Sequence, residues 1–186
     1  MITKIFLDMD GVLADFVIGI EGPKYLNATL SGSNVYDNNK QMFANKRLFR
    51  NLPPMPDMYE LVHYVKETGI YWELLSCAGE IARDIIVQDK IAWTKRYVDN
   101  NVVVTCTLKG KHKAAFASPD HILVDDREKN IEAWENAGGI GILHTNSADT
   151  IAEIENIINP TEYNKFAKYF MSRPKQEQSM IMGLGY

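Results

Sequence analysis

Two carboxylates, Asp8 and Asp10, stand at the end of the first strand-like segment and are followed by Gly11. On a strand, residues i and i+2 point to the same side, so both carboxylates start out facing one way. Glycine then permits a tight turn directly after them. In open α/β sheets, ligands bind at the carboxyl ends of the strands, which is where this pair lies. Taken alone, the pair fits a solvated turn as well as nucleophilic or acid–base chemistry.

A second acidic pair, Asp125 and Asp126, follows the apolar run that begins at His121. If the two strands are neighbours, three or four carboxylates converge on one small site, and such a cluster repels itself unless a cation neutralises it. Oxygen ligands suit Mg²⁺, which also binds substrate phosphate. We therefore predict a catalytic magnesium site, with a structural metal as the alternative.

Two further strand ends supply groups that phosphate chemistry requires. Ser76 ends the second apolar run and offers a hydroxyl donor, and Lys113 follows the third run and offers positive charge. A phosphoryl group needs donors and positive charge around its oxygens as charge redistributes. Lys109 and Lys111 compete with Lys113, which we prefer for its position just ahead of the strand that ends at Asp125.

Five short, continuous apolar runs suit strands that are buried on both faces of a parallel sheet. They span 2–7, 70–75, 102–106, 121–124 and 139–143. Helical patterns lie between most of them, at 56–67, 80–99, 129–137 and 150–158. Strands that alternate with helices predict an α/β protein with a Rossmann-like, doubly wound parallel sheet.

Residues 15–55 interrupt this alternation, because they are richer in Asn, Ser and Gly and too long for an ordinary βα loop. We interpret them as a small helical cap inserted over the carboxyl end of the first strand. Residues 1–14 and 56–158 then form the catalytic core. Residues 159–186 form a C-terminal tail, in which one more helix is predicted through Met171.

The composition is that of an ordinary globular protein: 186 residues, 46% hydrophobic and 24% charged. The formal net charge of -4 argues against a broad nucleic-acid or membrane-surface role. Only two cysteines are present, which argues against a disulfide framework and favours a reducing compartment. No apolar run reaches membrane-spanning length, so we predict a cytoplasmic protein without nucleic-acid or membrane partners.

The four motifs resemble those of the haloacid-dehalogenase superfamily of phosphatases. They stand here as Asp8-Met-Asp10-Gly-Val, Leu75-Ser76, Lys113 and Val124-Asp125-Asp126, and the resemblance covers residues 1–158. Longer segments are similar to the 5'(3')-deoxyribonucleotidase branch. These are DMDGVLADF at 8–16, DKIAWTKRY at 89–97, ILVDDREKNIEAW at 122–134 and AGGIGIL at 137–143.

The resemblance implies a mechanism. Asp8 attacks phosphorus and forms an aspartyl-phosphate, while Asp10 protonates the leaving hydroxyl and then activates the hydrolytic water. Ser76 holds a phosphate oxygen, and Lys113 neutralises charge. The implied cofactor is Mg²⁺, and its implied ligands are Asp8, Asp125 and the backbone carbonyl of Asp10, with Asp126 in support.

The resemblance also implies the substrate, a nucleoside monophosphate, preferably a deoxynucleotide. It is compatible with a homodimer. Phe16 helps to form an aromatic pocket for the base in this interpretation, and the alternative is that Phe16 belongs to the cap core. Cys77 stands where the commoner Thr-Ser motif has serine, and it contributes its backbone N–H.

Three other interpretations remain open at this point. Cys77 and Arg83 fit the C-x5-R spacing of cysteine phosphatases, although Glu80 would then lie in a loop that must receive a dianion. The substrate is alternatively another small phosphomonoester, such as a sugar phosphate or a nucleic-acid 3'-end. The last is an inactive fold whose Met-rich tail, near Met180, binds a partner, although such a fold has no reason to retain two repelling carboxylates.

Overall fold

The computed structural model describes residues 1–21 and 42–160, together with 172–174 and 177. The strands are β1 (Lys4–Leu7), β2 (Tyr71–Cys77), β3 (Val104–Thr107), β4 (His121–Asp125) and β5 (Ile140–Leu143). The helices are α1 (Phe16–Glu21), α2 (Met58–Glu67), α3 (Arg83–Tyr97), α4 (Glu128–Asn136) and α5 (Ser147–Ile158). Two 3-10 helices, Leu48–Arg50 and Gly110–Phe116, complete these elements.

The five strands form one parallel sheet in the order β3-β2-β1-β4-β5. β1 lies in the middle, and its last residue, Leu7, stands opposite Leu74 of β2 and Val124 of β4. The residue after Leu7 and the residue after Val124 are therefore neighbours at one edge. This α/β, doubly wound parallel sheet confirms the predicted fold class.

The core lies on the central strands. Ile5, Phe6 and Leu7 of β1 are 0–1% exposed. The ring of Trp134 on α4 packs edge-on against Phe6, with the ring centroids 5.4 Å apart. Trp134 thus packs its helix against the sheet. The helix that begins just after Asp125 and Asp126 is therefore fixed to the sheet by a buried tryptophan.

The two outer strands depart from the predicted burial. Residues 104–106 of β3 are only partly buried, and Leu143 of β5 is 43% exposed. The expectation of burial on both faces was wrong for these strands, because they form the edges of the sheet and helices cover the edges less fully.

The third helical segment begins later than its apolar pattern predicts. It was expected from residue 80, but α3 starts at Arg83. Gly79 and Ala82 both have positive φ values, 71° and 52°, which a right-handed helix cannot contain. The loop after β2 thus stays open for three more residues and separates the end of β2 from α3.

Part of the predicted cap lies within the described residues. α1 begins directly after the first loop, residues 42–45 are helical, and a 3-10 helix follows. Residues 22–41 and the helix predicted through Met171 lie outside the described residues, so the cap and tail boundaries remain predictions. Contacts divide the chain into two compact units, 1–150 and 151–186. None of the helices in the described ranges combines the length and apolar character that a bilayer span requires.

Candidate active site

The loop after β1 places the first acidic pair. Asp8 continues the sheet, since its backbone N–H donates to Val124 O at 2.9 Å, and its side chain is buried. Gly11 then turns the chain with a φ of 84°. A Cβ at this position would lie 2.3 Å from Asp126 Oδ2, so the turn needs glycine for its conformation and for this close approach.

The second acidic pair meets Asp8 at the sheet edge. Asp125 ends β4 and is fully buried, whereas Asp126 is exposed as a residue but turns its carboxyl toward Gly11. One oxygen from each of Asp8, Asp125 and Asp126 lies within 4.8 Å of the others. The structure therefore brings together three of the four predicted carboxylates.

Lys113 is the lysine that reaches this acidic cluster. It lies in the 3-10 helix after β3, is 1% exposed, and places Nζ 2.8 Å from Asp8 Oδ2 and 2.5 Å from Asp125 Oδ2. Lys111 is exposed, and the Lys109 ammonium lies 3.9 Å from Glu80 Oε1. Of the three competing lysines, Lys113 is the one whose ammonium group contacts Asp8 and Asp125.

The carboxylates of the cluster differ in their affinity for protons. Burial would raise the pKa of Asp8, but the ammonium groups of Lys113 and Lys90 outweigh it, so the pKa lies below its ordinary value. Burial, followed by the charges of Asp8 and Asp125, raises the pKa of Asp126 to about 7. Burial and the Asp8 charge also raise the pKa of Asp125.

Asp125 and Asp126 thus have raised pKa values beside an ionised Asp8, because burial and the neighbouring negative charges disfavour their ionised forms. A further cation at this cluster would favour the ionised forms of both. The donors are carboxylate oxygens with no nitrogen or sulfur among them. A hard cation such as Mg²⁺ fits this donor set.

Asp10 points to a different partner from Asp8. Its Oδ2 accepts a hydrogen bond from Lys90 Nζ at 2.7 Å, and its Oδ1 is buried with no hydrogen-bond partner among the described residues. Burial raises the pKa of Asp10 despite the nearby Lys90, and the Asp8 charge adds to the increase. Asp8 thus favours the ionised form, while Asp10 retains a proton to higher pH.

Sequence reasoning missed Lys90. It lies on α3, is 0% exposed, and also donates to Ser76 Oγ at 3.1 Å. Ile86 and Trp93, four positions before it and three after it, are fully buried as well. A lysine on the apolar face of a helix is the signal that could have identified it.

Asn130 was missed too. From α4, its Nδ2 donates to both oxygens of Asp125, at 2.9 and 3.0 Å. The backbone N–H of Arg127 adds a third bond, at 3.0 Å, to Oδ1. Asn130 therefore orients the Asp125 carboxylate without joining the acidic cluster itself. Its signal in the sequence is only its spacing, five residues after Asp125 on the following helix.

The remaining predicted site residues lie nearby. The Phe16 ring stacks on Phe49 at a centroid distance of 5.8 Å and meets Phe43 at 6.3 Å. This places Phe16 in an aromatic cluster of the predicted cap, and its role toward a substrate stays a prediction, as does that of Cys77.

The C-x5-R alternative finds no support in the geometry. The Cys77 thiol donates to the Leu108 carbonyl at 3.4 Å, whereas the Arg83 guanidinium donates to the Cys106 carbonyl at 2.9 Å. A cysteine phosphatase loop would aim the sulfur and the guanidinium at one anion. Here they serve two different carbonyls.

Comparison with known proteins places the fold in a class. No family model matches the sequence, and no curated protein matches it. The L-2-haloacid dehalogenase from Xanthobacter autotrophicus with chloropropionic acid covalently bound matches with a TM-score of 0.53 at 12% identity, over 91% of this chain and 88% of that chain. A haloacid dehalogenase-like hydrolase from Bacteroides fragilis matches with a TM-score of 0.53 at 12% identity, over 82% and 93%. The chain therefore has the fold of haloacid dehalogenase-like hydrolases.

Proposed function

We propose that the protein is a magnesium-dependent phosphomonoester hydrolase in which Asp8 is the nucleophile. The observation that carries this proposal is the position of the Asp8 carboxylate. It stands at the carboxyl end of the central strand, 2.8 Å from the Lys113 ammonium, and shares a cluster with Asp125 and Asp126. The fold shared with haloacid dehalogenase-like hydrolases supports a hydrolase.

The residues divide the reaction between them. The Asp8 carboxylate attacks phosphorus as the bond from phosphorus to the leaving oxygen breaks, and Asp10 gives that oxygen its proton. Water then attacks the aspartyl-phosphate and passes its proton to Asp10, which releases inorganic phosphate and restores both carboxyl groups. Ser76 and Lys113 hold and neutralise the phosphate oxygens.

The acidic cluster fits the implied metal. The carboxylates of Asp8 and Asp125 and the backbone carbonyl of Asp10 would hold Mg²⁺, with Asp126 in support. When bound, Mg²⁺ neutralises phosphate oxygens and stabilises the charge that develops during transfer.

We further propose a nucleoside monophosphate, preferably deoxy, as the substrate, and a cytoplasmic role in deoxyribonucleotide metabolism. The support is the similarity of residues 8–16, 89–97, 122–134 and 137–143 to 5'(3')-deoxyribonucleotidases. Phe16, which is only partly buried beside Phe43 and Phe49, is the aromatic residue that we propose contacts the base. A sugar phosphate and a nucleic-acid 3'-phosphate are the competing substrates.

A phosphate-release assay tests the activity and the substrate together. The protein is treated with a chelator and assayed with and without Mg²⁺ on 5'- and 3'-deoxynucleotides, ribonucleotides, sugar phosphates, a 3'-phosphorylated oligonucleotide and 4-nitrophenyl phosphate. We expect turnover that requires Mg²⁺ and is highest on a deoxynucleoside monophosphate. Highest turnover on a sugar phosphate or an oligonucleotide end would refute the proposed substrate class but would remain consistent with phosphomonoester hydrolysis.

A pair of variants separates the chemistry from the fold. Asp8→Asn should lower kcat by at least about a thousand-fold, because it removes the nucleophile, and a cooperative unfolding transition should show that the fold is retained. Glu132→Gln, an exposed carboxylate on α4, should leave kcat unchanged. An Asp8→Asn protein with near-normal turnover would refute the mechanism, and no magnesium-dependent turnover on any phosphomonoester would favour the inactive, partner-binding fold.

A further inference from the structure

The Lys90 ammonium connects two site residues from different strand ends. Its Nζ lies 2.7 Å from Asp10 Oδ2, after β1, and 3.1 Å from Ser76 Oγ, on β2. On its remaining side it faces the Met9 sulfur at 3.9 Å and the Phe49 ring, whose centroid is 4.8 Å away. All sides of this fully buried cation are therefore in contact with the protein.

Hydrogen-bond polarity fixes what Lys90 does to Ser76. An ammonium group only donates, so the Ser76 hydroxyl must accept from it. The hydroxyl proton is then free to donate in another direction, and no acceptor among the described residues takes it. A phosphate oxygen only accepts, so Ser76 is left with the polarity that a phosphate group needs.

The same ammonium fixes the orientation of Asp10. One carboxyl oxygen, Oδ2, is held by Lys90, whereas Oδ1 is buried and has no partner among the described residues. A buried polar atom without a partner is costly, and a role in binding or catalysis is one explanation for it. Lys90 thus leaves one oxygen of Asp10 available to the leaving group of a substrate.

We propose that Lys90 is a positioning residue that directs the Ser76 hydroxyl proton at the substrate phosphate and presents Asp10 Oδ1 to the leaving oxygen. This inference rests on the proposed function, because it takes a phosphate ester as the ligand. Lys90 itself makes no bond to the reacting atoms. Its action passes through Asp10 and Ser76.

The first test compares Lys90→Met with Lys95→Met, an exposed lysine on the same helix. Methionine keeps the unbranched side chain up to Cε and removes the ammonium group with its donors. We expect kcat of Lys90→Met to fall about 100-fold on phenyl phosphate, since small misplacements of reacting groups have this effect. The loss should be several-fold smaller on 4-nitrophenyl phosphate, whose leaving group needs little protonation. Equal losses on the two esters would overturn the role through Asp10.

A double-variant cycle tests the role through Ser76. If Lys90 acts by directing the Ser76 hydroxyl, Lys90→Met should cost clearly less in a Ser76→Ala background than in the wild type. The same fold-loss in both backgrounds would show that the two residues act independently and would overturn this half of the proposal.

Two further measurements distinguish a loss of the Lys90 ammonium from misfolding and test its role independently of turnover. In Lys90→Ala, ethylamine should restore part of the lost kcat by supplying an ammonium group in the cavity, and it should leave Lys95→Ala unchanged. Failure of ethylamine to raise kcat in a Lys90→Ala protein with a cooperative unfolding transition would count against the proposal.

A wild type without turnover would contradict the proposed function. Calorimetric binding of inorganic phosphate in the presence of Mg²⁺ would then test the role of Lys90. Weaker binding in Lys90→Met than in Lys95→Met supports the role, and equal binding overturns it.

Discussion

The ion pair between Arg47 and Asp89 offers a quantitative test of how α3 holds the segment before α2. Asp89 is fully buried, and its Oδ1 lies 2.6 Å from Arg47 Nε and 2.5 Å from Nη2. Its Oδ2 has no hydrogen-bond partner among the described residues. Four residues further along α3, Trp93 Nε1 donates to the Leu52 carbonyl at 2.8 Å. Replacing Arg47 with methionine would leave a buried carboxylate without its cation.

The size of the loss follows from burial. Removing one partner of a buried ion pair costs about 3–5 kcal/mol, because the other charge is left uncompensated. The Arg47 side chain is 40% exposed, so water can approach Asp89 once the guanidinium is gone. We therefore expect the lower end of this range, about 3 kcal/mol. Arg47 has a φ of 52°, and methionine and arginine are both L residues with a Cβ that disfavours this conformation, so we attribute the difference to the guanidinium.

Urea unfolding at pH 7 measures this loss. Arg50→Met, an exposed position three residues further along, should change the free energy of unfolding by less than about 0.5 kcal/mol. The double variant Arg47→Met/Asp89→Leu should recover most of the loss, because the unpaired charge is gone as well. A loss below about 1 kcal/mol for Arg47→Met would be that of a surface pair and would refute the assignment of Asp89 as a buried charge.

Two further predictions concern the positioning of Asp125 and the response to acid. Asn130→Ala removes two hydrogen bonds to Asp125 and should raise the Mg²⁺ concentration needed for half-maximal turnover by about 10–100-fold. The exposed Asn136→Ala should leave this concentration unchanged. Burial lowers the pKa of His144, so the unfolded chain binds this proton more readily and stability should fall as the pH drops below about 6.5. In urea unfolding at pH 7.5 and 5.5, His144→Gln should show a smaller acid loss than the wild type, while the exposed His63→Gln should show the full loss. An unaltered Mg²⁺ dependence in Asn130→Ala, or an undiminished acid loss in His144→Gln, would contradict the respective prediction.

The strand ends were predictable because they depend on a short-range pattern. Apolar runs mark parallel strands, and the residues that follow them must meet at one edge of the sheet. The meeting of Asp8, Asp125 and Asp126 follows from the adjacency of β1 and β4. The preference for Lys113 also had a local basis, its position just before β4.

The contacts of Lys90 and Asn130 could not be predicted in the same way. Each is a polar residue on the buried side of a helix, where a periodic pattern anticipates apolar side chains. Whether a polar residue is buried depends on the partner that its side chain contacts in the folded protein. This partner is Asp10 for Lys90 and Asp125 for Asn130. Phe16 is similar, because its neighbours Phe43 and Phe49 come from a segment with no clear period of its own.

The central position of β1 has a consequence for biosynthesis. β1 leaves the ribosome before the other four strands of the sheet, yet one of its two edges pairs with β4, so Lys4 cannot pair until His121 has been synthesised. Such pairings between distant residues form slowly, because the chain loses the entropy of closing a long loop before the new contacts stabilise the structure. Any chain that is interrupted before residue 121 would therefore carry an unpaired strand edge of buried character, which is a template for aggregation. The strand that precedes the proposed nucleophile, Asp8, is thus also the part of a nascent chain that most needs protection until synthesis has passed β4.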